Sequence, residues 1–181
     1  MKKIFCLILA MLSLFALVSC SGSDEAPDGY KLASNADACK YSLFVPENWV
    51  TSEGENKTNF TMATVANTDA CNVSFSLIND VEAGDSIDAF WEKQVAEYTK
   101  LFSDFSALSE KEQVTIGGSV GYRYITTASY GGKTYKFMQV FVPKNEIFTA
   151  ELYAFTYTAE VSHYDTHLET VNQIISYFKW D

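Results

Sequence analysis

At 181 residues, 48% of them hydrophobic and 15% aromatic, the chain has the apolar side chains for one packed core but not the length for two ordinary domains. Its formal charge of −10 argues against nucleic acid or an anionic lipid surface as partner, because gripping phosphate takes clustered cations.

Lys2 and Lys3 precede a nearly unbroken apolar run, residues 4–18, interrupted only by Ser13. A short positive stretch followed by such a run is the pattern of an export signal. The run falls short of the about 20 apolar residues that span a bilayer. It ends in Leu17-Val18-Ser19-Cys20, which resembles the bacterial lipobox: small Ser19 stands before the cut, and Cys20 supplies the thiol that takes a diacylglyceryl group. An uncleaved signal anchor, or an ordinary secretory peptide with an incidental cysteine, is the competing reading. On the lipobox reading, residues 1–19 are a signal peptide that leaves with Cys6. The lipid on Cys20 then holds the protein on the extracytoplasmic face of a membrane. Removing 19 of 181 residues leaves 162, and losing two lysines and no acid takes the charge from −10 to −12. Residues 20–30 lack apolar periodicity and read as a flexible tether, whose about ten residues span ~15–20 Å. One domain, residues 31–181, follows.

Within it, "CKYSLFVP" alternates Tyr41, Leu43 and Val45 against Ser42 and Phe44 and predicts a strand ending at Pro46. "NFTMATVA" and "CNVSFSLI" follow as strands joined by a turn at Asn67-Thr68-Asp69. A helix is predicted over residues 85–102, with Asp85 as N-cap and Ile87, Phe90, Trp91, Val95, Tyr98, Leu101 and Phe102 at helical spacing. Four strands come next: a largely polar one over 106–116, "VGYRYITTAS", "KTYKFMQVFV" and "EIFTAELYAFT". Gly131-Gly132 is a favoured hairpin turn between the second and third, and Pro143-Lys144-Asn145 turns the chain into the fourth. A capping box, Ser162 to Asp165, opens the last helix. Its apolar stripe is Val161, Tyr164, Leu168, Val171, Ile175 and Phe178.

Residues 134–142 and 147–155 are apolar on both faces, and a strand apolar on both faces is covered on both. Hairpin connections make the sheet antiparallel. The expected class is α+β: an α/β/α sandwich with a central antiparallel sheet of about six or seven strands and two main helices. Cys39 and Cys71, in the echoing phrases "NADACK" and "NTDACN", form an even pair in an exported chain and suggest a disulfide. The bridge requires their Cα atoms within about 7 Å, whereas the first and third strands of a simple meander lie ~10 Å apart.

The element order, together with "FVPENW" (44–49), "IGGSVGYRY" (116–124), "FVPKNEIFTAELYA" (141–154) and "IISYFKW" (174–180), resembles the PsbP-like superfamily from about Tyr30 to Trp180. That group includes photosystem II extrinsic subunits, a nuclear Ran-binding protein and many bacterial lipoproteins. The matching residues, Pro46 and Trp49 among them, are scaffold residues. The resemblance implies a non-enzymatic binding or assembly module.

The letters also raise chemistry. "GGSVG", residues 117–121, matches a G-x-S-x-G nucleophile elbow around Ser119, but an elbow needs a helix after the serine and here a β-run follows. His163 and His167 flank Asp165 on the last helix. Positions two apart on a helix face different ways, so Asp165 cannot orient either imidazole. The two histidines stand four apart and could share a metal, yet "HYDTH" lacks the zinc-protease glutamate and a third ligand. Both are expected to be exposed. "NDVEAGD" (79–85) is oxygen-rich, but Asp85 occupies the position where a calcium loop needs glycine. No catalytic, cofactor or metal residue is therefore assigned. Two classes stay open: a lipid-anchored module binding a protein, glycan or small molecule, and a small serine- or metal-dependent hydrolase.

Overall fold

The computed structural model describes residues 25–34, 39–53, 60–66, 71–78, 81, 86–144 and 151–181. Cys20 and its signal and tether up to residue 24, Asp85, the Asn67–Asp69 turn and most of "NDVEAGD" lie outside the described residues.

The sheet grows from one hairpin. Gly131 and Gly132 have φ of +62° and +80°, which suits the twist of two strands joined by a two-residue turn. They join strand β9 (Ser119–Tyr130) to β10 (Lys133–Pro143), with Tyr130 opposite Lys133. Strand β11 (Leu152–Glu160) pairs with β10, and β6 (Asn72–Ile78) pairs with β11. Beyond β6 come β5 (Phe60–Thr64) and β4 (Val50–Glu53). On the opposite edge, β7 (Ser106–Ala107) and β8 (Glu112–Ile116) both pair with the long β9. Every pairing is antiparallel, and the sheet has eight strands against the six or seven expected. The surplus comes from β4, which has no apolar run to announce it, and from the polar segment 106–116, which divides in two.

The first predicted strand also divides, at Leu43. Strand β1 (Tyr30–Leu32) pairs with β3 (Phe44–Pro46), while β2 (Tyr41–Ser42) pairs with the terminal β12 (Lys179–Trp180). Between them, Leu43 N donates to Ser34 Oγ at 3.0 Å, and Leu43 O accepts from Ala33 N at 2.8 Å. These short strands form two separate two-stranded sheets, and Tyr41 packs on Phe75 and Tyr153 of the main sheet.

The two helices cover opposite faces. Helix α1 (Ile87–Leu101) lays Ile87 and Phe90 against Tyr124, Phe141 and Leu152. Helix α2 (Tyr164–Tyr177) lays Val171 and Ile174 against the other face, where Val140, Val142, Phe155 and Tyr157 are fully or almost fully buried. β10 thus sends Phe141 to one helix and Val140 and Val142 to the other, as strands apolar on both faces require. Each such side chain contributes about 1.5–3 kcal/mol on full burial. The molecule is an α+β, α/β/α sandwich.

The helix ends differ from expectation. Ser86 Oγ caps α1 by accepting from Ala89 N at 3.2 Å. Helix α2 starts at His163 with no side-chain cap, so the Ser162–Asp165 capping box is not formed. Its start is held from the preceding strand instead: His163 N donates to Glu160 O at 2.9 Å, and Tyr157 Oη donates to Tyr164 O at 2.7 Å. Leu101, one of the apolar residues at helical spacing on α1, is 71% exposed.

No disulfide joins Cys39 and Cys71, contrary to expectation; both are buried as thiols. Cys39 lies by Tyr41 and Tyr153, and Cys71 by Tyr157. Tyr153 and Tyr157 are four residues apart on β11, about 13 Å at the strand rise, so the cysteines occupy different tiers of the core.

Candidate functional site

The letter-matched serine is structural. Gly117 and Gly118, with φ of +55° and +76°, form the turn of the β8–β9 hairpin, so strands flank Ser119 where an elbow needs a helix. Ser119 Oγ accepts from Trp180 Nε1 at 3.0 Å, which ties the hairpin to the C-terminal strand. A Cβ on Gly117 would sit 2.8 Å from the Phe178 ring, and one on Gly121 would sit 2.9 Å from Val140 Cγ1. The motif is a packing device. His163 and His167 are half-buried rather than exposed, and His167 meets the indole of Trp49 edge-on at 6.4 Å between centroids. Among the described residues, no group of three or more His, Cys, Asp or Glu could hold a metal ion.

The feature the sequence left unread lies under α1. Along the first half of this helix the space to the sheet is filled by rings: Trp91 stacks on Tyr124 at 4.0 Å and 18°, and Phe90 meets Phe141 at 5.1 Å and 72°. Further along, the sheet's side chains shrink. One cross-strand row on this face is Thr126–Phe137–Thr158, and its neighbour is Tyr124–Gln139–Thr156. Threonine and alanine are too short to reach the helix, and a cleft of about 250 Å³ opens. Thr126, Ala128, Thr156 and Thr158 form its floor with Phe137 and Gln139, and Tyr98, Phe102 and Phe105 form its wall.

The wall is positioned by local bonds. Phe102 ends α1, its N–H donating to Tyr98 O at 2.8 Å, and Phe105 N donates to Phe102 O at 3.2 Å. Asp104 Oδ1 accepts from Ser129 N at 3.0 Å and pins this loop to the end of β9. Hydrogen bonds from Ser129 hold the Asp104 carboxyl below its ordinary value. Tyr98 and Phe105 pack at 5.4 Å between centroids, tilted by 43°. None of the described residues lining the cleft is charged. Inside it, Gln139 Nε2 donates to Tyr98 Oη at 3.2 Å. Such an arrangement can enclose and orient an apolar molecule, and it offers no acid–base or nucleophilic pair. A wider depression of about 540 Å³ lies over Gly117, Gly118, Phe178 and Trp180, but it is open to solvent.

A signal for the cleft was present. On β11 the residues facing α2 are Tyr153, Phe155 and Tyr157, while those facing α1 are Ala154, Thr156 and Thr158. β9 repeats the change, from Tyr124 to Thr126 and Ala128.

No protein-family model matches the chain, and no curated protein matches it in sequence. Solved structures do match in fold. Cyanobacterial PsbP (CyanoP) of Synechocystis sp. PCC 6803 superposes with a TM-score of 0.58 at 15% identity, covering 91% of this chain and 99% of that one. The Ran-binding protein Mog1p of Saccharomyces cerevisiae gives 0.56 at 12% identity, covering 83% and 95%. A Pseudomonas aeruginosa protein of unknown function gives 0.54 at 13% identity, covering 80% and 92%. At these identities the likeness is one of fold, and the chain has the PsbP-like fold that its sequence resembles.

Proposed function

We propose that this chain is a non-enzymatic binding module that takes its ligand in the cleft between α1 and the sheet. The observation carrying the reading is the cleft itself: a hollow with no charge among its described lining residues, an aromatic wall and a hydrogen-bonded amide inside, the make-up of a ligand pocket. Mog1p, of similar fold, is a Ran-binding protein, which agrees with a binding role for this architecture. The Leu17–Cys20 lipobox supports a lipid anchor on Cys20 at the extracytoplasmic face of a membrane. No helix among the described residues is long and apolar enough to cross a membrane. An anchor and short tether would keep the module near partners confined to the same surface and raise their effective concentration.

The test pairs two measurements on membranes carrying the full chain. Cys20→Ser should abolish lipid attachment, read by mass spectrometry, and release or mislocalise the protein. Wild type and Ser119→Ala should be equally inert towards ester, peptide and phosphate substrates. Turnover that disappears with Ser119→Ala would replace this reading with a hydrolase, and an unmodified Cys20 in the membrane fraction would remove the anchor.

A further inference from the structure

The geometry points to a small, uncharged aromatic molecule of one or two rings, carrying a hydroxyl or similar polar group, as the occupant of the cleft. This rests on the reading of the cleft as the binding site. Size sets the first limit. A cavity of about 150 Å³ takes benzene, and about 250 Å³ is available here, enough for two fused rings. A partner's helix, about 10–12 Å across with its side chains, is too large to enter. Charge sets the second limit: with no charged side chain among the described lining residues, an ionised ligand would lose its hydration and find no counter-ion among them.

The wall decides between rings and a linear chain. Tyr98 and Phe105 present a tilted ring pair at 5.4 Å, with Phe102 beside them in the lining. Planar rings gain from offset or edge contacts with such a surface beyond what area alone supplies. The polar group is placed by the floor. Gln139 spends one N–H on Tyr98 Oη, which leaves the Tyr98 hydroxyl proton able to donate and the rest of the Gln139 amide beside it. A ligand hydroxyl at that end would be recognised, the hydroxyls of Thr126, Thr156 and Thr158 line the floor beyond it, and Phe102, Phe105 and Phe137 offer only ring surface.

The test is photolabelling of the full chain in its membrane with an azido derivative of 2-naphthol, followed by peptide mapping. Saturable label is expected on peptides containing residues 98–105 and 126–128. Unlabelled 2-naphthol should displace it, and naphthalene-2-sulfonate and 1-dodecanol should not. Thr158→Leu, which extends a side chain into the hollow, should weaken labelling by about tenfold or more while circular dichroism stays unchanged. Gln139→Leu should cut the preference for 2-naphthol over naphthalene by ~3- to 10-fold. Should Thr158→Leu fail to fold, competition on the wild-type chain still decides. Equal competition by the sulfonate or by dodecanol would overturn the proposal, as would labelling unchanged in a folded Thr158→Leu variant. Absence of saturable label would overturn the aromatic occupant, and a benzophenone side chain placed at position 105 that still forms a discrete adduct would spare the cleft as binding site.

Discussion

Several tyrosines in this core are held as neutral phenols, and each carries the cost of a buried hydroxyl. Tyr124 is 2% exposed, its ring stacked on Trp91, and its Oη finds no hydrogen-bond partner among the described residues. Desolvation, with the nearby Asp88 charge adding to it, raises its pKa to about 12. Tyr124→Phe keeps the ring and removes the unpaired group, so it should stabilise the fold by about 1 kcal/mol in urea titration. Burial likewise raises Tyr41 and Tyr157, and raises Tyr164 to about 12 despite the opposing charge of Arg123. The folded state therefore binds these protons more tightly than the unfolded chain, whose phenols ionise near 10. Their contribution to stability is complete below pH 10 and is lost as pH rises from there through the folded-state values. The urea midpoint should fall steeply between pH 10 and 12, and less steeply in Tyr124→Phe; a flat profile would mean these phenols are solvated.

Among the elements, the β8–β9 hairpin shows how a motif can carry meaning other than its letters. Gly117 and Gly118 both have positive φ, but only Gly117 meets a neighbour, the Phe178 ring at 2.8 Å. Gly118→Ala should cost about 1–2 kcal/mol for the left-handed backbone alone. Gly117→Ala should cost a further ~1–3 kcal/mol because Phe178 must move. Equal losses, measured by thermal unfolding, would show that the ring yields freely. The Gly131-Gly132 hairpin and both helices were legible because turn chemistry and helical spacing are local signals. "CKYSLFVP" misled because Tyr41, Leu43, Phe44 and Val45 are all buried: with no exposed face, alternation has nothing to report, and Leu43 is tied to Ala33 and Ser34 instead of a sheet. Strand β4 stayed hidden because Val50, Thr51 and Ser52 are exposed at an edge.

On the scale of the whole molecule, the sandwich was readable and the site was not. Apolar residues on both faces of β10 announce two covering layers wherever the helices lie. The cleft needs more: Thr126 on β9 and Thr158 on β11 become neighbours of one row only through Phe137 on the strand between them, and that register is not local. The missing Cys39–Cys71 bridge has the same origin, since residues at similar places in echoing phrases end in different tiers of the core. The central claim, that this fold works by holding a molecule in the cleft beneath α1, is tested most directly by site-specific photocrosslinking in intact cells. A benzophenone side chain would replace Phe105 at the cleft wall and, separately, Val50, 60% exposed on the opposite edge strand. The account predicts a discrete adduct from position 105 that position 50 does not form. No adduct at 105, or an equally strong one at 50, would contradict it.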